Sequence, residues 1–306
     1  MADIALIGAP TQAGTYRRGC LMGPDALRTA GLAESLADLG HTIVSDTTLT
    51  PEPVAIDDAD YAPAHHVGET AGWVRAIRRA MRKAQASGHT PILMGGDHSI
   101  AAGSLAAVAD HAGSTAPNVI WLDAHPDFHT LYSTESGNLH GIPVAMACGL
   151  KGHDVIYGEP ITPLDPTRIT MFGIRSVDRP ERELLRQHGV TVYDMRAIDE
   201  HGVGHLIRET LARVTANGAP LHVSLDVDFL DPDVAPAVGT TVPGGATIRE
   251  AHLIMELIHE SGRATSLDLV ELNPALDEFG RTAGVMVDLA ASLFGRTIMD
   301  RPTSGW

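Results

Sequence analysis

Short apolar runs recur along the chain, each bounded by turn residues and followed by a stretch with helical spacing. They are Ile4–Ile7, Thr42–Val44, Pro91–Met94, Val119–Leu122, Ile169–Phe172, Val190–Tyr193, Leu221–Leu225 and Ala264–Leu269. Runs this short and continuous read as strands buried on both faces, and the intervening helices make parallel pairing the expected arrangement. Helical composition predicts helices over Gly23–Leu39, Val67–Ala86, Ile100–His111, Glu181–Gln187, His205–Ala216, Thr247–Ser261 and Gly280–Phe294. The pattern therefore predicts an α/β protein of three layers, αβα, with a mainly parallel sheet of about eight strands. No repeat divides it, and residues 1–306 are expected to form a single domain.

The chemically distinctive residues follow the predicted strands directly, after Met94, Leu122, Phe172, Leu225 and Leu269. Open α/β sheets carry their sites at these carboxyl ends, where loops remote in sequence converge. In Trp121-Leu122-Asp123-Ala124-His125-Pro126-Asp127-Phe128-His129, ligand-type residues fall at every second position. On an extended chain, Asp123, His125, Asp127 and His129 share one face. Chance alternation at a solvated strand end is the plain alternative, but buried unpaired carboxylates are too costly to be filler.

A second segment, Ser224-Leu225-Asp226-Val227-Asp228, puts two carboxylates at the end of an apolar strand. A third, Met94-Gly95-Gly96-Asp97-His98-Ser99, ends a strand on two glycines and leaves His98 at a helix start, where Asp97 or Ser99 can also serve as an N-cap. Together the three strand ends offer His98, Asp123, His125, Asp127, Asp226 and Asp228. Two imidazoles and four carboxylates suit a borderline-hard divalent ion such as Mn2+ rather than a thiolate zinc or iron–sulfur site.

Composition narrows the partners. With 22 Lys plus Arg against 38 Asp plus Glu, the net charge is −16, which argues against nucleic acid. The one basic cluster, Arg75–Lys83, reads as the polar face of a helix. Two cysteines, Cys20 and Cys148, are too few for a disulfide scaffold, and no apolar run approaches the roughly 18 residues of a membrane helix. With a strand-like start at Ile4–Gly8 and no basic leader, the expectation is a cytoplasmic protein with no membrane partner.

The three strand-end motifs resemble the metal motifs of the arginase/agmatinase (ureohydrolase) family, in the usual order and spacing. Further matches run through Gly19–Gly31, Ser136-Gly137-Asn138-Leu139-His140-Gly141, Gly239-Thr240 and Glu271-Leu272-Asn273-Pro274. The stretches Arg18–Gly31, Ser136–Gly141 and Arg281–Arg296 look more like arginases of the bacterial type than like agmatinases. The resemblance implies one ureohydrolase domain of the open αβα arginase fold with two Mn2+ per chain, in a trimer or hexamer. One ion is held by His98, Asp123, Asp127 and Asp226, the other by Asp123, His125, Asp226 and Asp228, with Asp123 and Asp226 bridging.

The implied reaction is hydrolysis of the guanidino group of L-arginine to urea and L-ornithine by a hydroxide shared between the two ions, since metal coordination lowers the pKa of water from 15.7 towards roughly 7. Asp127 orients the nucleophile, Glu271 pairs with the guanidinium and His140 carries a proton to the departing amine. Read alone, His140 can equally cap a helix and Glu271 can be an exposed loop carboxylate. The resemblance places His129 and Ser136 at the substrate carboxylate, Asp178 and Glu181 at the α-amino group, and Thr240 in the pocket. Asp178 as a turn residue and Glu181 as a first-turn helix residue are the bland readings.

Two positions depart from the arginase pattern. Arginases commonly carry asparagine where His129 stands and glycine where Phe229 follows Asp228, and both are expected near the pocket mouth. A bulkier rim leaves agmatine, guanidinobutyrate or a related guanidino acid as the alternative substrate. A metal-binding pseudoenzyme would lack a ligand or Glu271, and all are present.

Overall fold

The computed structural model describes residues 1–297, so the end of the expected 1–306 domain, residues 298–306, lies outside the described residues. The strands are β1 (Asp3–Ala9), β2 (Thr42–Thr48), β3 (Thr90–Gly95), β4 (Asn118–Leu122), β5 (Ile169–Ile174), β6 (Thr191–Asp194), β7 (Leu221–Asp226) and β8 (Ala264–Val270). They form one eight-stranded sheet in the order β2-β1-β3-β8-β7-β4-β5-β6. Every pairing is parallel, as continuous apolar runs separated by helices require. The strand-end segments after β3, β4, β7 and β8 therefore lie side by side at one edge of the central strands.

The two faces of the sheet differ. On one, Ile4, Leu6, Ile92, Met94, Ile120, Leu122, Val223, Leu225, Leu267 and Leu269 form a continuous apolar surface with the helices Leu32–Asp38, Val203–Asn217, Ile248–Ser261 and Arg281–Leu293. On the other, Val119, Trp121, Ile169 and Met171 pack against Val67–Ala86 and Ala101–Ala112. At β7 and β8 this second face turns polar. His222, Ser224 and Asp226 alternate with the apolar residues of β7, and Ser266 and Asp268 do so in β8, all of them buried. The helix above them is rich in small residues, with Ala101, Ala102, Gly103 and Ser104 all buried.

The helices agree with the sequence pattern within a few residues at their ends, with two kinds of difference. The single helix expected over Gly23–Leu39 is two, Gly23–Thr29 and Leu32–Asp38. Gly31 between them takes a left-handed φ of 86°, which breaks the helical run. The short helices Pro143–Ala147, His153–Tyr157 and Met195–His201 were not anticipated, because five to seven residues carry too little periodicity. The basic cluster lies on the helix Val67–Ala86 as expected, but Arg78 is buried and paired with Asp110 and Glu159 rather than solvated.

Phe229 is not at a mouth. It closes the turn Val227–Phe229 that follows β7, is fully buried, and belongs to the apolar face of the core. Its ring lies over Gly173, whose φ is 89°; a β-carbon there would come 2.5 Å from Phe229 Cδ2. The space left by that glycine takes the ring inward, which corrects the expectation that Phe229 stands at the rim. Accordingly, Phe229→Ala is expected to lower the unfolding free energy by about 3–5 kcal/mol in denaturant melts, with KM left unchanged. A raised KM at undiminished stability would return the ring to the pocket.

Candidate metal centre and active site

His98 follows β3 after two glycines. Gly96 passes so close to the Thr11 carbonyl that a side chain there would collide with backbone. Asp97 is the N-cap, with Oδ1 accepting from Ser99 N at 3.1 Å and Oδ2 from Gly14 N at 3.0 Å. Freed from that task, the His98 ring stacks on Trp121 at 4.0 Å between centroids, with an interplanar angle of 4°. Its Nε2 meets Ser224 Oγ at 2.9 Å. Nδ1 then faces three carboxylates, at 3.0 Å from Asp123 Oδ2, 3.2 Å from Asp127 Oδ2 and 3.0 Å from Asp226 Oδ2.

Asp123, His125, Asp127 and His129 do converge, but not along an extended face. β4 ends at Leu122, and the segment beyond it bends, with Asp127 at a left-handed φ of 50°. His125 Nδ1 lies 3.0 Å from Asp228 Oδ2 and 3.6 Å from Asp123 Oδ1. Asp226 is the last residue of β7, and its Oδ1 accepts from Asp228 N at 2.8 Å, turning Asp228 towards His125. Two sets of side chains can thus each hold a cation, His98 with Asp123 and Asp226, and His125 with Asp123 and Asp228. Asp123 is common to both; Asp226 enters only the first.

The electrostatics fit this reading. His98 Nδ1 and Asp123 Oδ2 are buried with no hydrogen-bond partner although they stand 3.0 Å apart, so they share a target rather than bond to each other. Burial, followed by neighbouring carboxylates, pushes Asp226 and Asp228 up from the usual range and Asp127 up to about 6. Four carboxylates crowded in a low-dielectric site stay ionised together only with cations to balance them. The oxygen and imidazole donors present are those a divalent ion such as Mn2+ takes.

Glu271 follows β8 at a left-handed φ of 64° and is 2% exposed, not a loop carboxylate in solvent. Its Oε1 accepts from His98 N at 2.8 Å and lies 3.0 Å from His140 Nδ1. Burial lowers the His140 pKa, but the hydrogen bond and charge of Glu271 outweigh it and push it up to about 9. His140 sits in the short helical turn Leu139–Gly141, which has no side-chain capping hydrogen bond.

These groups lie at and beneath a cavity of about 300 Å³. His125, Asp127, Asp226 and His140 reach its floor, and His129, Ser136, Asp178, Glu181 and Thr240 line its walls. Glu271 is not among the lining residues and stands behind His140. Asp178 precedes the helix Arg179–His188 and Glu181 lies in its first turn, so the bland readings hold for position, yet both face the cavity. Burial raises Glu181 to about 8 despite the hydrogen bond from Phe128 N. His129 Nδ1 meets Ser133 Oγ at 3.2 Å, and its Nε2 lies 3.4 Å from Asp178 and 3.9 Å from Glu181, so the ring stands with the carboxylates of one wall. A larger groove of about 680 Å³ runs beside Arg75–Lys83, away from every one of these residues.

Two functional residues had escaped the sequence reading. Ser224 holds the His98 ring, and its polar side chain inside an apolar strand is the signal that could have found it. Arg175 reaches from the end of β5 to the carbonyls of Asp228 and Val242, each at 2.6 Å, and so fixes the turn bearing Asp228 against the loop bearing Thr240. Nothing in its neighbourhood in sequence marks that partner, 53 residues away.

Known proteins resemble this chain over nearly its whole length. A family model described as "Arginase family" matches residues 2–295. The chain is 54% identical to an arginase of Brucella melitensis, over 97% of this chain and 98% of that one. It is 49% identical to an arginase of Agrobacterium fabrum, over 98% and 93%. Its fold is similar to the solved structure of arginase from Bacillus caldovelox, with a TM-score of 0.90 and 38% identity over 98% of this chain and all of that one.

The sharing of Asp123 sets an expectation for metal analysis. Asp123→Ala should lose both tightly held divalent ions, whereas His125→Ala should lose one, as counted by plasma emission after gel filtration in Mn2+. Two ions retained by Asp123→Ala would remove it from the centre.

Proposed function

The chain belongs to the arginase family of metal-dependent hydrolases, and on that premise we propose that it hydrolyses the guanidino group of L-arginine, giving urea and L-ornithine, with two Mn2+ per chain. The observation that carries this reading is the pair of ligand sets joined at Asp123, at and beneath the floor of a cavity that His140 also lines. His98, Asp123, Asp127 and Asp226 would hold one ion, and Asp123, His125, Asp226 and Asp228 the other. A bridging role for Asp123 is supported by its place in both sets, and that of Asp226 rests on the family resemblance. Bound there, the ions would lower the pKa of water and supply a nucleophile able to attack a guanidinium carbon at neutral pH.

The protein's own groups complete the reaction. Asp127, at the cavity floor, orients the attacking oxygen. Glu271 Oε1 fixes His140 through Nδ1, which directs the other ring nitrogen away from it; the pairing of Glu271 Oε2 with the guanidinium rests on the family resemblance, since Glu271 does not line the cavity. After hydroxide adds to the guanidino carbon, the bond to the chain nitrogen breaks as Asp127 takes the remaining hydroxyl proton and His140 gives the chain nitrogen a proton, so ornithine leaves as the amine and urea as the neutral product. Ser136 and His129 receive the substrate carboxylate, and Asp178 and Glu181 the α-amino group, with Thr240 closing the wall. Free Cys20 and Cys148 agree with a cytoplasmic protein. No helix among the described residues is long and apolar enough to cross a membrane. We further propose one ureohydrolase domain assembled as a homo-oligomer, a trimer or hexamer.

A second reading has an observation in its favour. Among the described residues, Glu135, Asp178 and Glu181 line the cavity and no lysine or arginine does, which also suits a guanidino compound whose far end is purely cationic, such as agmatine.

Urea release from L-arginine, agmatine and guanidinobutyrate, before and after chelation and Mn2+ addition, tests the proposal. L-arginine should outperform agmatine, and His129→Ala should raise KM for arginine more than it lowers kcat, as expected for a contact made equally in the ground and transition states. Agmatine turned over as well as arginine, unchanged in the variant, would favour the second reading. Glu271→Gln should keep both ions yet lose about 3 kcal/mol of transition-state stabilisation, at least a hundredfold in kcat/KM. Normal turnover in that variant would leave Glu271 a purely structural role.

A further inference from the structure

The polar stripe on β7 and β8 includes one cluster that the reaction does not use. His222 and Asp268 are both fully buried. His222 Nδ1 meets Ser266 Oγ at 2.8 Å and Nε2 meets Asp268 Oδ2 at 3.2 Å. An ionised carboxylate only accepts, so Nε2 carries the proton. Asp268 Oδ2 also accepts from the hydroxyl of Ser104, on the helix Ala101–Ala112. The other carboxylate oxygen, Oδ1, is buried with no hydrogen-bond partner.

Such a group is costly, and replacing a buried charged pair by apolar residues of similar volume is often neutral or stabilising. Its attachments explain why it stands at the centre of the sheet, because each leads to a different arm of the metal centre. Ser104 belongs to the helix that continues directly from the His98–Ile100 turn. His222 shares β7 with Ser224, which holds His98 Nε2, and with Asp226. Asp268 is the register partner of Ser224 across the β7–β8 pair, and its strand ends just before Glu271, which accepts from His98 N.

We infer that Asp268 is a positioning residue for the His98 side of the metal centre, held in place by His222 and Ser104. Its negative charge, uncompensated at Oδ1 and in register with Ser224, favours the His98 orientation in which Nε2 bears the proton and Nδ1 turns its lone pair to the cation. Partners behind a metal-bound imidazole act in this way, by fixing the tautomer and raising the basicity of the ligating nitrogen. The inference rests on the two-cation reading of the site.

The test is calorimetric titration of metal-free protein with Mn2+, together with electron paramagnetic resonance of the loaded protein, for wild type, Asp268→Asn, Ser104→Ala and Ser224→Ala. Fewer than two ions on the wild type would defeat the two-cation reading itself. With two ions on the wild type, Asp268→Asn should weaken one of them 10- to 100-fold and spare the other, a range typical of such outer partners. At limiting metal its spectrum should change from that of a coupled pair to that of an isolated ion. Combining Asp268→Asn with Ser224→Ala should add little to Ser224→Ala alone, since both act through one imidazole. Wild-type affinities in Asp268→Asn, equal weakening of both ions, or additive losses would overturn the inference. Should Asp268→Asn fail to fold, Ser104→Ala decides: selective weakening of one ion supports it, and unchanged affinity for both overturns it.

Discussion

Like charges held together out of water are the constraint on which the rest of this molecule depends. Asp123, Asp127, Asp226 and Asp228 lie within reach of two imidazoles in a site from which solvent is largely excluded. Left to themselves, such groups would separate or take up protons. A parallel sheet resists both, since strand ends fixed in register by the whole hydrogen-bond ladder cannot drift apart. The smaller contacts share that task. Trp121 stacks beneath His98, Ser224 holds its ring, and Arg175 ties the Asp228 turn to the neighbouring loop.

The cavity above divides its work along the same lines. Apart from His140, its floor is built from residues at or just beyond strand ends, and its outer wall comes from Ser136, Asp178 and Thr240 on connecting segments. Chemistry common to a family sits naturally on the first, and selectivity among substrates on the second. His129 lies at the join, close enough in sequence to Asp127 to be fixed by the floor yet turned towards Asp178 and Glu181 on the wall.

Much of this was legible in the sequence because continuous apolar runs admit few structures. All eight strands, their parallel pairing and the three layers follow from the runs and the helical stretches between them, and the ligand residues follow from their place just after those runs. What failed did so for physical reasons. The alternation of Asp123 to His129 looked like a strand, but the backbone there is bent and Asp127 takes a left-handed conformation that no pattern of side chains announces. Phe229 was expected at the rim because it follows Asp228 where arginases commonly carry glycine; its burial depends on Gly173, from a different strand. Ser224 and Asp268 were invisible as a pair, since register between β7 and β8 joins residues 44 apart.

Asp127 and Glu271, the two carboxylates with the most direct part in the proposed chemistry, are also two of the five non-glycine residues at positive φ among the described residues. Each residue held in that backbone state costs on the order of 1–3 kcal/mol. Glycine at either position would relax the chain while removing the group the reaction uses. Stability and turnover therefore pull in opposite directions at these two residues. A library selected only for heat resistance should drift away from the acids there, while one selected for urea release should keep them. Mutational tolerance at Asp127 and Glu271 thus becomes a readout of which pressure a population has felt.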